Sequence, residues 1–110
     1  MEDNELPNNG PRVTLADIEA EINSEHYFTA AAAVGVNLGH NAVLPSPLKL
    51  LTFCVLVLHN GFTIVGKSAC ASPENFDAEV GRRIARQDAV NQVWPLLGFR
   101  LRDKLAGSMS

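Results

Sequence analysis

Only two cysteines occur in this chain of 110 residues, Cys54 and Cys70, and they lack CxxC or zinc-finger spacing. That scarcity speaks against a disulfide framework and against a structural metal. Cys54 alternates with Leu56 and Leu58 and reads as a small core residue. Charge is also sparse, at 19% of residues with a net of −3. Duplex nucleic acid and anionic membranes ask for a basic footprint, which is missing. The longest apolar stretch stops at His59-Asn60-Gly61, well short of a membrane span. The opening MEDNELPNNGPR has neither a positive n-region nor an apolar h-region, so no secretory signal is expected. Nucleotide-binding glycine motifs, a P-loop, H-E-x-x-H and G-x-S-x-G are all absent. None of His26, His40 and His59 has an adjacent Cys or Ser nucleophile, or a second ligand at metal spacing. No enzyme, cofactor or metal site is expected.

What is present is a globular composition, 46% hydrophobic, of a size for one domain. Residues 1–12 read as a disordered acidic arm, 13–106 as a single α+β domain and 107–110 as a tail. Thr14 is a good N-cap, with Asp17 in the capping-box position. Leu15, Ile18 and Ile22 recur at helical spacing and predict a helix of roughly ten residues. Asp17, Glu19 and Glu21 then form its solvated side. The segment His26-Tyr27-Phe28-Thr29 with its four alanines either extends this helix or begins a second one. Gly35 to Pro47 reads as a loop.

Residues 50–69 read as a β-hairpin, LLTFCVLVL-HNG-FTIVGKSA. A two-residue turn at Asn60-Gly61 sets His59 opposite Phe62. One face then carries Phe53, Val55, Val57, Ile64, Gly66 and Ser68; the other carries Thr52, Cys54, Leu56, Leu58, Val65 and Lys67. A three-residue loop that includes His59 would shift this register. Either way both faces are apolar, more than one helix can cover, so the sheet is expected to be completed or covered by oligomerisation, as a dimer or tetramer. Ser72 and Pro73 read as the N-cap and first position of a long C-terminal helix. Its apolar stripe runs through Phe76, Val80, Ile84, Val90, Val93, Leu97, Leu101 and Leu105. Pro95 predicts an end or a kink near Trp94, with residues 96–106 a continuation or a separate helix.

Three candidate sites follow. The first is the Ser68–Asn75 junction, where helix N-terminal amides suit an anion and Lys67 precedes them; ordinary capping by Ser72 is the rival reading. The second is Arg82 with Arg86, one turn apart on one face and spaced to hold phosphates; a solvated face is the rival. Arg83 is expected to pair with Glu79, and Arg100, Arg102 and Lys104 to form a solvated face. The third is Glu25-His26-Tyr27-Phe28-Thr29, where two aromatics beside a hydroxyl suit stacking on a base; the rival is core closure by Tyr27 and Phe28. The charge distribution favours the C-terminal half for an anion. Residues 1–49 hold seven of the twelve acids and two of the nine bases, and residues 50–110 hold five and seven.

The phrases EHYFTA, NGFTIVGKSACASPENFD and EVGRRIARQDAVNQVWPLLGF closely resemble a family of small tailed-phage proteins named after gene 49 of phage N4 and gene 66 of phage Sf6. The resemblance covers roughly residues 13–105. It implies a non-structural accessory protein acting in the host cytoplasm. It also implies kinship with anti-CBASS sponges, which sequester cyclic nucleotide immune signals without hydrolysing them. The expectation is therefore a homo-oligomer that binds a cyclic di- or trinucleotide where subunits meet. Tyr27 or Phe28 would stack, Thr29 and Ser68 would hydrogen-bond, and Lys67, Arg82 and Arg86 would take the phosphates. The alternative is a phage protein that inhibits a host protein through its apolar hairpin face.

Overall fold

The computed structural model describes residues 10–39 and 43–108. Expectations placed on residues 1–9, on His40 and on residues 109–110 lie outside them. In chain order, α1 (Leu15–Glu21) runs directly into β1 (Ile22–Thr29) and then α2 (Ala30–Leu38). A 3-10 turn, Ser46–Leu50, leads to β2 (Leu51–Leu58) and β3 (Thr63–Ala69); a second, Pro73–Asn75, precedes α3 (Ala78–Ser108). The class is α+β, as expected, with the strands in one antiparallel sheet of order β1-β2-β3.

Thr14 closes the expected capping box. Its hydroxyl accepts from the Asp17 amide at 3.2 Å, and Asp17 Oδ2 accepts from the Thr14 amide at 2.8 Å. The helix stops after seven residues, because Ile22 is already extended. The stretch His26–Thr29 therefore neither extends α1 nor begins a helix; it belongs to β1. Its aromatic and β-branched residues suit a strand, and pairing Tyr27 with Cys54 and Phe28 with Phe53 satisfies its backbone. The alanines follow as α2, which reaches Leu38 inside the expected loop, with Thr29 as N-cap.

The hairpin forms with the three-residue loop. Leu58 donates its amide to the Phe62 carbonyl at 2.9 Å, so Phe62 stands opposite Leu58 rather than His59. Gly61, at φ 89°, takes the left-handed position that such a loop requires. The expected register is corrected by one residue, which moves every β3 side chain to the other face. Thr52, Cys54, Leu56 and Leu58 now share the helix-covered face with Ile64, Gly66 and Ser68. The open face carries Phe53, Val55 and Val57 with Val65 and Lys67, and β1 adds His26 and Phe28.

Helix α3 lies across β2 and β3. Asp77, not Ser72, starts it: Asp77 Oδ1 accepts from the Glu79 and Val80 amides at 2.9 and 3.1 Å. Ser72 instead donates to Glu74 at 2.7 Å, and Phe76 is extended. The buried stripe is Gly81, Ala85, Ala89, Val90, Val93 and Leu97, which includes the expected Val90, Val93 and Leu97, whereas Ile84 is 48% exposed. Small residues face the sheet because the helix touches it at Gly66, where a Cβ would collide with the Ala85 carbonyl and the Ala89 amide. Pro95 lies inside the helix instead of ending it. It removes one bond, to the carbonyl of Asn91, whose exposure leaves that carbonyl to water, while buried Val93 and Leu97 hold the flanking turns. Residues 96–106 are thus a continuation.

Ile18 of α1 joins Cys54, Leu56, Leu58, Ile64, Val90, Val93 and Leu97 in one core. Side chains of α3 also close the outer edge of β3. Asp88 accepts from the Lys67 amide at 2.9 Å, and Gln92 donates to the Val65 carbonyl at 2.7 Å. An edge occupied in this way cannot template another strand.

Candidate functional site

Where β1 and β2 reach the start of α3, Tyr27, Phe28, Thr29, Thr52, Phe76, Ala78 and Arg82 line a cavity of about 130 Å³. Each side chain arrives for a local reason. Tyr27 points from β1 toward the core, beside its partner Cys54. Its hydroxyl donates to Glu25 at 2.7 Å, and burial, reinforced by that bond, pushes the phenol well above its ordinary value. Phe28 points the other way and stacks on Phe53, centroids 5.3 Å apart, and it also lines the cavity. The Thr29 hydroxyl caps α2 by accepting from the Ala32 amide at 3.1 Å. Thr52 is only 3% exposed, and its Oγ1 has no hydrogen-bond partner. Phe76 is half-buried, held by the extended turn before α3. Arg82, one turn into α3, is exposed and forms no ion pair among the described residues.

Of the residues expected to form a site, Tyr27, Phe28, Thr29 and Arg82 are therefore brought together. The other three stand elsewhere. Ser68 is in register beside Thr52 on the helix-covered face but does not line the cavity. Lys67, opposite Phe53, lies on the open face of the sheet. Arg86 is engaged by two carboxylates, with its guanidinium 2.7 Å from Glu19 and 3.0 Å from Glu25. It ties α3 to both α1 and β1. Hydrogen bonding to Glu19 and then Glu25 raises the Arg86 pKa further, and Arg86 in turn lowers that of Glu25. A phosphate there would have to displace carboxylates already in bidentate contact.

The acids of α1 are likewise not a free solvated side, since Glu21 holds Arg100 at 2.6 Å. The expected Glu79–Arg83 pair is not formed among the described residues; both groups are exposed, where such pairs contribute little. The amides at the start of α3 are occupied by Asp77, so the Ser68–Asn75 junction offers no open anion cradle there. Thr52 and Phe76 are the cavity residues that sequence reasoning did not place in a site. Thr52 had a visible signal, a lone hydroxyl in line with Cys54, Leu56 and Leu58 on an otherwise apolar face.

Two of the larger hollows differ in chemistry. One of about 320 Å³ between α1 and the far half of α3 mixes Arg12, Arg100 and Lys104 with Asp17 and Glu21, so its two carboxylates offset most of its positive charge. The other, about 520 Å³, is an apolar groove along Pro47, Leu50, Leu51 and Ala69. Burial raises the Cys54 thiol pKa, which leaves it a poor nucleophile. Among the described residues no group of three or more His, Cys, Asp or Glu could hold a metal, and no helix is long and apolar enough to cross a membrane.

Neither the curated proteins nor the solved structures contain a match to this chain. A family model does match, over residues 13–105, which runs from the cap of α1 into the last turns of α3. The chain belongs to the phage protein (N4 Gp49/phage Sf6 gene 66) family.

Proposed function

We propose that this phage protein captures a cyclic oligonucleotide signal without cleaving it, acting as a sponge of the anti-CBASS kind in the host cytoplasm. The observation that carries the reading is the cavity itself. Tyr27, Phe28 and Phe76 supply aromatic surface for a base, and Arg82 supplies a cation that forms no ion pair among the described residues. Its volume of about 130 Å³ is below the ~300–1,000 Å³ of pockets that enclose drug-sized ligands. One chain thus holds one nucleotide unit, and a second copy completes the enclosure. Self-association also fits the open sheet face, where Val65 is exposed and Phe53, Val55 and Val57 are partly exposed among the described residues. Thermal-shift measurements against a panel of cyclic di- and trinucleotides test the reading. A concentration-dependent rise in melting temperature is expected from at least one, and no stabilisation by any would sink it.

The same open face supports a second reading, inhibition of a host protein by contact with Phe53, Val55 and Val65. Stoichiometric retention of one host protein in a pull-down, with no nucleotide response, would favour it.

A further inference from the structure

We infer that β1 is an assembly edge, which pairs antiparallel with β1 of a second copy and joins two three-stranded sheets into one of six strands. The inference rests on the self-association proposed above and names the strand that carries it; capture of a nucleotide is not assumed. The two edges of the sheet differ. Along β3 the outward backbone is taken by Asp88 and Gln92 of α3. Along β1 it is open. The Leu58 amide bonds to the Phe62 carbonyl and the Cys70 amide to the Leu50 carbonyl, so even-numbered residues of β2 direct their backbone groups to β3. The odd-numbered ones turn to β1, where Val57, Val55 and Phe53 meet Ser24, His26 and Phe28. Glu25, Tyr27 and Thr29 therefore aim their amides away from the sheet. Among the described residues those amides have no acceptor.

The strand that completes this edge is β1 itself. Head-to-tail addition, β1 of one copy on β3 of the next, is blocked by Asp88 and Gln92, so growth stops at two and the pair closes about a two-fold axis. From Ser24 to Thr29 the strand has no Lys, Pro or bulge to blunt it; the irregularity in its pairing lies earlier, between Ile22 and Ser24. Its sequence is also self-complementary about Tyr27. In that register Tyr27 meets Tyr27, Glu25 meets Thr29, and His26 meets Phe28 on the open face, so aromatic side chains stand across from each other. A register centred on Glu25 sets two carboxylates opposite one another and is disfavoured. Pairing here leaves the open face free, so two such pairs can still pack face to face. Tyr27, Phe28 and Thr29 also line the cavity, so the two cavities are related by the same axis.

The test sets Glu25→Pro beside Glu25→Ala. Both remove the carboxylate, only proline removes the outward amide, and neither takes away a backbone bond to β2. Light scattering is expected to give Glu25→Ala the wild-type mass and Glu25→Pro half of it. A Glu25→Pro chain of wild-type mass would overturn the inference, and so would an equal fall in both variants. Amide exchange in the wild type is a second readout that needs no substitution. The Glu25 and Tyr27 amides are expected to exchange at least about tenfold more slowly in the associated species than in chain diluted to monomer. Unprotected amides in an associated chain would overturn the inference and leave assembly through the open face standing. A chain that stays monomeric at every concentration would overturn both, while nucleotide capture is read separately by the thermal shift.

Discussion

Arg82 and Arg86 are four residues apart on one helix, yet their surroundings give them opposite work. Arg86 lies where α1 and β1 converge and is held by Glu19 and Glu25, whereas Arg82 lines the cavity and forms no ion pair among the described residues. Arg82→Gln is therefore expected to weaken nucleotide binding about tenfold while moving stability by less than about 0.5 kcal/mol, measured by titration and urea melts. Arg86→Gln is expected to do the reverse, costing about 1–2 kcal/mol because two partly exposed carboxylates lose a shared partner. The hydrogen bond from Arg86 holds Glu25 below its ordinary value of 4.5, and that from Arg100 does the same for Glu21. A carboxylate with a depressed folded pKa contributes stability that is complete above its unfolded value and is lost as pH falls through the folded one. Urea midpoints of the wild type should thus drop as the pH falls below about 4.5. The drop should be smaller in Arg86→Gln, and an equal drop in both would contradict the role given to Arg86.

Among the elements, the contact of α3 with β3 is the least forgiving. Gly66 lies against backbone of α3, not against a side chain that can swing away, so Gly66→Ala is expected to cost about 3 kcal/mol or more in urea unfolding. A loss under about 1 kcal/mol would mean that the helix is not seated as described. Much of this architecture was legible in the sequence, because local chemistry decided it: the Thr14 capping box, the two hairpin strands and the long helix. The rest depended on contacts that are distant along the chain. His26–Thr29 beside four alanines reads as helix until β2 offers its edge. One loop residue, His59, decided which face each β3 side chain takes. The helix stripe was read from the large residues Phe76 and Ile84, whereas tight packing on Gly66 selected the small ones. In the candidate site, the aromatic and hydroxyl types were readable, and so was Arg82. What sequence does not record is that Glu19 and Glu25 engage Arg86, or that the Thr52 hydroxyl is left alone.

At the scale of the whole molecule, α3 covers one face of the sheet, and among the described residues no helix lies across the other. Central strand β2 presents Phe53, Val55 and Val57 on the other, flanked by His26 and Lys67 at the rims. The proposed homo-oligomer covers this face, so Val55→Asp, in the middle row, is expected to lower the mass measured by light scattering toward that of the monomer. A charge there would leave the mass unchanged if chains associate elsewhere. The proposed ligand site and the proposed assembly face meet at Phe28, which lines the cavity and stacks on Phe53 of the open face. Capture without turnover is the central claim, and one measurement addresses it directly. The protein is incubated with the cyclic dinucleotide that gives the largest thermal shift and separated from free ligand by gel filtration. It is then denatured, and the released small molecule is weighed by mass spectrometry. Intact dinucleotide in stoichiometric amount is the expected result; a linearised or cleaved product, or no retained ligand at all, would contradict it.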